Sequence, residues 1–174
     1  MLERARSVGV SKSIITAGNL EDSCKTLELT ARWGEQYGMF STIGVHPTRC
    51  DEFQPDPDAH TKALSALLRE SSSRSTPGGR VVAVGECGLD YDRLHFCGKE
   101  AQMAGFLAQI KLADEHNLPL FLHNRNTTGD FLRVCETQRG SGCMRAGGVV
   151  HSFDGSAEEM RALVDLGFYI GING

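Results

Sequence analysis

Four apolar runs in this 174-residue chain each lead into an ionisable side chain: His46, Glu86, His123 and His151. The chain holds six histidines, so half of them stand in this one kind of position. Side chains that leave parallel strands at their C-terminal ends converge on a shared crevice or barrel mouth. Two imidazoles and one carboxylate form a good ligand set for Zn²⁺, Mn²⁺ or Fe²⁺, and a carboxylate can bridge a second ion. Taken together, Glu86, His123 and His151 point to a metal site.

Each residue also has an ordinary explanation. A single histidine at a strand end is commonly a hydrogen-bonded structural residue. Glu86 alone is equally explained by a buried pair with an arginine or lysine. Asp90 and Asp154-Gly155 fit turns, and Arg125 fits a surface charge as well as a phosphate clamp. His60 and His116, on or near helices, are expected in solvent, whereas His95 lies in a loop within reach of the mouth. The first set stands out because its members recur at the same place in successive units.

Those units alternate strand and helix. Strands are expected at residues 13–18, 40–47, 81–86, 118–123, 147–151 and 168–173. The third, Val81-Val82-Ala83-Val84-Gly85, has no polar break before Glu86, as expected of a strand buried on both faces of a parallel sheet. Helices are expected between them. Asn19 caps one whose apolar stripe is Leu20, Cys24, Leu27 and Ala31. Asp56-Pro57 opens another with Leu64, Leu67 and Leu68 inward. Met103, Phe106, Leu107 and Ile110 mark a long helix, and Phe131, Leu132 and Cys135 the next. Ser156 and Glu159 form a capping box before Met160, Leu163 and Val164, and Gly167 stops that helix. Residues 71–79, rich in Ser and Gly, read as a solvated loop. The rhythm predicts an α/β fold with a parallel sheet, closed as a (β/α)₈ barrel or open and doubly wound. No GxGxxG or GxxxxGK[ST] follows any strand, which argues against a nucleotide-binding fold.

Composition narrows the class. Hydrophobic residues make up 40% and charged residues 23%, as in an ordinary soluble domain. The net charge of -4 gives no basic field, so a phosphate-rich substrate would need bound cations for local positive potential. The six cysteines form no CxxC pair, which disfavours a zinc ribbon and fits reduced thiols used partly as core filler. Neither a signal peptide nor a membrane-length apolar run is present, so an intracellular protein of the nucleus or cytoplasm is expected, acting as a monomer away from membranes.

Four stretches carry a resemblance. Gly44-Val45-His46-Pro47, Gly85-Glu86-Cys87-Gly88-Leu89-Asp90, Phe121-Leu122-His123-Asn124-Arg125 and Val150-His151-Ser152-Phe153-Asp154-Gly155 resemble, in order, motifs of the TatD family of metal-dependent deoxyribonucleases. Ala17-Gly18-Asn19-Leu20 and His46-Pro47-Thr48-Arg49-Cys50 are similar to stretches of its eukaryotic TatD DNase domain-containing type. The resemblance implies a TIM-type (β/α)₈ barrel of the metallo-dependent hydrolase class over residues 1–174, with DNA as substrate. It implies that Glu86 bridges two divalent cations (Mg²⁺, Mn²⁺ or Zn²⁺), that His123 and His151 are further ligands, and that His46 and Arg125 face the substrate. The family's early His-x-His motif and its late metal-binding Asp have no counterpart here. The barrel is therefore expected to be incomplete, with strands two to seven present and strands one and eight missing.

The expected activity is hydrolysis of phosphodiester bonds in DNA, with Glu86, His123 and His151 as the catalytic set. The alternatives are a truncated, catalytically impaired remnant that binds a partner or does not fold alone, and an amidohydrolase acting on another substrate.

Overall fold

The computed structural model describes residues 1–71 and 80–173, so most of the loop expected at 71–79 lies outside the described residues. A short helix α1 (Leu2–Ser7) precedes strand β1 (Ser13–Ile15). Then come α2 (Leu20–Tyr37), β2 (Met39–Ile43), a 3-10 helix (Pro47–Phe53), α3 (Pro57–Ser71), β3 (Val81–Asp90) and α4 (Lys99–Glu115). The last third holds β4 (Leu120–Arg125), α5 (Asp130–Gly140), β5 (Gly148–Val150), α6 (Ala157–Asp165) and β6 (Phe168–Ile170).

The six strands lie side by side in chain order, and every neighbouring pair is parallel. A doubly wound sheet reverses its strand order at a switch point. This sheet never reverses, so right-handed crossovers all step the same way and lie on one face, the winding of a barrel wall. Of the two expected architectures, the open doubly wound one is excluded.

Periodicity located the helices better than it located their buried faces. The predicted caps are made: Asn19 Oδ1 accepts from Asp22 N–H at 2.8 Å, and Ser156 Oγ accepts from Glu159 N–H at 3.2 Å. The stripe predicted for α2 is half right: Leu20 and Leu27 pack against the core, partly buried. The helix's buried residues are Ser23, Thr26, Thr30 and Gly34, whereas Cys24 and Ala31 are exposed. Ser23, Thr26 and Thr30 satisfy their hydroxyls on carbonyls one turn back, so small polar side chains pack against the sheet without an orphaned donor. Elsewhere the core is apolar, with Phe106 of α4 stacked on Phe131 of α5 at 5.6 Å. All six cysteines are free, and Cys50, Cys87, Cys97 and Cys135 are buried. Among the described residues, no helix is long and apolar enough to cross a membrane.

Strand β3 departs from expectation where it matters. Glu86 is not the end of the strand, which continues to Asp90. Gly85 pairs with Phe121 and Cys87 with Leu122, so Glu86 is the extra residue of a β-bulge. A bulge re-aims one side chain without ending the strand. Gly85 permits it: its φ is +147°, and a Cβ there would strike the Phe121 carbonyl.

Candidate metal centre

The bulge turns Glu86 toward three imidazoles. Glu86 Oε1 lies 2.7 Å from His151 Nε2, 3.0 Å from His123 Nδ1 and 3.5 Å from His46 Nε2. The His46 and His123 rings meet edge to face at 4.7 Å, and the His123 and His151 centroids are 5.3 Å apart. One ligand atom from each of His46, Glu86 and His123 lies within 4.8 Å of the other two, a grouping that does not take in His151. The four side chains are 12–20% exposed, enclosed but open to a small ion.

Each ring is held by its own element. His46 lies past the end of β2 as the N-cap of the 3-10 helix, where its Nδ1 accepts from Thr48 N–H and its Nε2 is left facing Glu86. His123 is inside β4 rather than at its end. His151 follows β5 directly; its N–H donates to Leu122 O, its ring stacks on Phe121 at 4.8 Å, and its Nδ1 sits 2.9 Å from Ser152 Oγ. The Glu86 N–H donates to Ala17 O, which ties the bulge to the end of β1.

Asp90 is the last residue of β3, where the chain turns, but it is also completely buried. Its Oδ2 accepts from Arg93 Nη1 at 2.6 Å and lies 3.1 Å from His123 Nε2. Two glutamines of α4 that the apolar pattern passed over hold the backbone around the site. Gln109 Oε1 accepts from Val45 N–H and its Nε2 donates to Val45 O, beside His46. Gln102 does the same for Asp90. They stand two turns apart on the helix, and that spacing of uncharged polar residues was the available signal.

The other candidates fall elsewhere. His60 is half-buried against Phe53, and His116 Nε2 bonds Ser65 Oγ, so neither is the solvated side chain expected. His95 is exposed and packs on Phe96. Arg125 pairs with the Asp154 carboxylate and lines a groove of about 770 Å³. That groove is walled by residues following His123 and His151 in the chain, among them Asn124, Thr127, Asp154 and Glu159.

Electrostatics prepares the cluster for a cation. Burial raises the pKa of Glu86, but hydrogen bonds with His123 and His151 overcome this and hold it well below the usual carboxylate range. Burial also lowers the pKa of His46 to about 4 despite the Glu86 charge, so the imidazole stays neutral as a ligand must. No lysine or arginine among the described residues pairs with Glu86, which removes the structural ion-pair explanation. The donor set fits a divalent ion: imidazole nitrogens and a carboxylate oxygen, with a buried oxygen behind them, Asp90 Oδ1, that has no partner among the described residues.

The same shift gives a pH prediction for the metal-free protein. Folded His46 binds its proton only near pH 4, whereas the unfolded chain binds one near the ordinary 6.5. Over that interval the unfolded state holds more protons, so stability is full above pH 6.5 and falls as pH drops toward 4. Urea melts at stepped pH should show this slope, and His46→Gln should flatten it.

The sequence pattern of the family described as TatD related DNase matches residues 1–174. A protein of Schizosaccharomyces pombe named Deoxyribonuclease Tat-D is 40% identical over the whole chain, which corresponds to 54% of its own length. A Citrobacter koseri protein named 3'-5' ssDNA/RNA exonuclease TatD is 35% identical over all of this chain and 60% of its own. Among solved structures, a hydrolase TatD family protein from Entamoeba histolytica superposes with a TM-score of 0.83 at 36% identity, over 98% of this chain and 54% of that one. The chain thus spans little more than half the length of the relatives it matches.

Proposed function

We propose that this chain, which belongs to the TatD related DNase family, is a metal-dependent hydrolase of phosphodiester bonds in DNA. The observation that carries the reading is one carboxylate oxygen, Glu86 Oε1, facing His46, His123 and His151 from three other strand–loop units. Residues 1–174 are read as a single domain, its strands being the second to seventh of an eight-stranded barrel. The support is the unreversed strand order and the likeness to TatD proteins.

On this reading Glu86, His123 and His151 hold two divalent cations, Mg²⁺, Mn²⁺ or Zn²⁺, with His46 on the substrate side. Bound there, such ions supply Lewis acidity, polarising the phosphoryl group and lowering the pKa of an attacking water toward about 7. Glu86 contributes the negative charge that the imidazoles cannot. The groove beside the centre is lined by four carboxylates, from Asp92, Asp154, Glu158 and Glu159, and by one guanidinium, from Arg125. Phosphates would therefore be drawn to bound cations and to Arg125, whose guanidinium can exchange the Asp154 carboxylate for a phosphate. The polar remainder of the groove suits a nucleoside.

The test is cleavage of labelled single-stranded and duplex DNA with Mn²⁺ or Mg²⁺, then with EDTA, then with the metal restored. Cleavage should stop with the chelator and return with the ion. Absence of cleavage, or cleavage indifferent to EDTA, would overturn the assignment.

A further inference from the structure

His123 is the one imidazole of the cluster with a carboxylate at each ring nitrogen. Nδ1 faces Glu86 Oε1 at 3.0 Å, and Nε2 faces Asp90 Oδ2 at 3.1 Å. The two carboxylates lie on opposite sides of the ring, so Asp90 stands behind His123 as seen from Glu86. It is also the less accessible of the two, with no exposure against 18% for the Glu86 side chain.

A completely buried carboxylate is costly, and this one is incompletely satisfied. Its Oδ1 has no hydrogen-bond partner among the described residues. Its position is nevertheless tightly enforced: Gln102 clamps both the N–H and the C=O of Asp90, and Arg93 binds its Oδ2. Such a constrained, expensive placement calls for a use.

We propose that Asp90 is a positioning residue for the metal centre: it accepts the Nε2–H of His123, fixes that tautomer, and so leaves the Nδ1 lone pair aimed into the cluster. A ligating histidine held from behind by a carboxylate is oriented and made more basic, and loss of such a partner typically weakens metal affinity about 10–100-fold. The inference rests on the metal centre proposed above. Its specific content is that the acceptor character of Asp90, and not its volume or its pairing with Arg93, sets the affinity.

Asp90→Asn separates these. The amide keeps the shape but can turn an NH₂ toward Nε2, favouring the other tautomer and placing the proton on Nδ1. Arg93→Gln removes the guanidinium and leaves the carboxylate on His123. Mn²⁺ binding followed by electron paramagnetic resonance should be weakened about 10–100-fold in Asp90→Asn and close to the unsubstituted value in Arg93→Gln. Nitrogen NMR of the metal-free unsubstituted chain should find the His123 proton on Nε2, toward Asp90, and not on Nδ1, toward Glu86. That measurement decides the matter even if Asp90→Asn does not fold. Equal Mn²⁺ affinity in Asp90→Asn and the unsubstituted chain, equal losses in the two variants, or a proton on Nδ1 would each overturn the inference. Failure of the unsubstituted chain to bind Mn²⁺ at all would overturn the metal centre and, with it, this role for Asp90.

Discussion

Glu86→Gln should lower Mn²⁺-supported DNA cleavage by at least about 100-fold. Loss of a residue that merely orients a metal ligand costs up to about that much, so loss of the proposed central anionic ligand should cost no less. The substitution is nearly isosteric, and the side chain is 18% exposed, so the bulge at Gly85 and the barrel wall have no reason to change. What changes is charge. Three imidazoles now meet at Glu86 Oε1, and a neutral amide cannot hold a divalent ion among them. Glu86→Ala should match it in activity. The complementary readout is thermal: Mn²⁺ should raise the melting temperature of the unsubstituted chain and not of Glu86→Gln, since a ligand that binds only the folded state stabilises it. Cleavage by Glu86→Gln at the unsubstituted rate would remove Glu86 from the chemistry.

The sequence made the site partly legible, for a physical reason. A strand buried on both faces writes itself as a continuous apolar run, and the first polar residue after the run marks where the chain surfaces. That rule brought Glu86, His123 and His151 together although 65 residues separate the first from the last. It misjudged the end of β3 because a bulge adds a residue without altering hydrophobicity, so β3 continues through Asp90. It missed Asp90, Gln102 and Gln109 because apolar periodicity has no term for a polar side chain whose partners are backbone groups inside the core. Half of the α2 face failed in the same way: Ser23, Thr26 and Thr30 satisfy themselves within the helix and pack as small residues where Cys24 and Ala31 were expected. Glu159 shows the converse. Its place in a capping box was legible, yet its carboxylate reaches across to Asn124 in β4 instead of back to its own helix.

Gly88→Ala tests whether close approach of β3 and β4 builds the centre. Gly88 is paired with His123, its φ is +139°, and a Cβ would run into the His123 carbonyl oxygen. Backbone strain of this kind costs about 1–3 kcal/mol before any steric conflict is counted. The obstacle is a backbone atom of the central ladder, not a flexible tip, so relief requires the strands to move apart. A total near 3 kcal/mol corresponds to a fall of roughly 6–12 °C in melting temperature for a chain of this size. The same displacement shifts His123 away from Glu86 on one side and Asp90 on the other, so Mn²⁺ affinity should fall with stability. Gly140→Ala is the control. Gly140 ends α5 and a Cβ there meets nothing within 4 Å, so its melting temperature and metal affinity should stay near those of the unsubstituted chain. If Gly88→Ala instead behaves like Gly140→Ala, the two strands have room to spare, and the placement of His123 must be set from the α4 side through Gln102 and Asp90 alone.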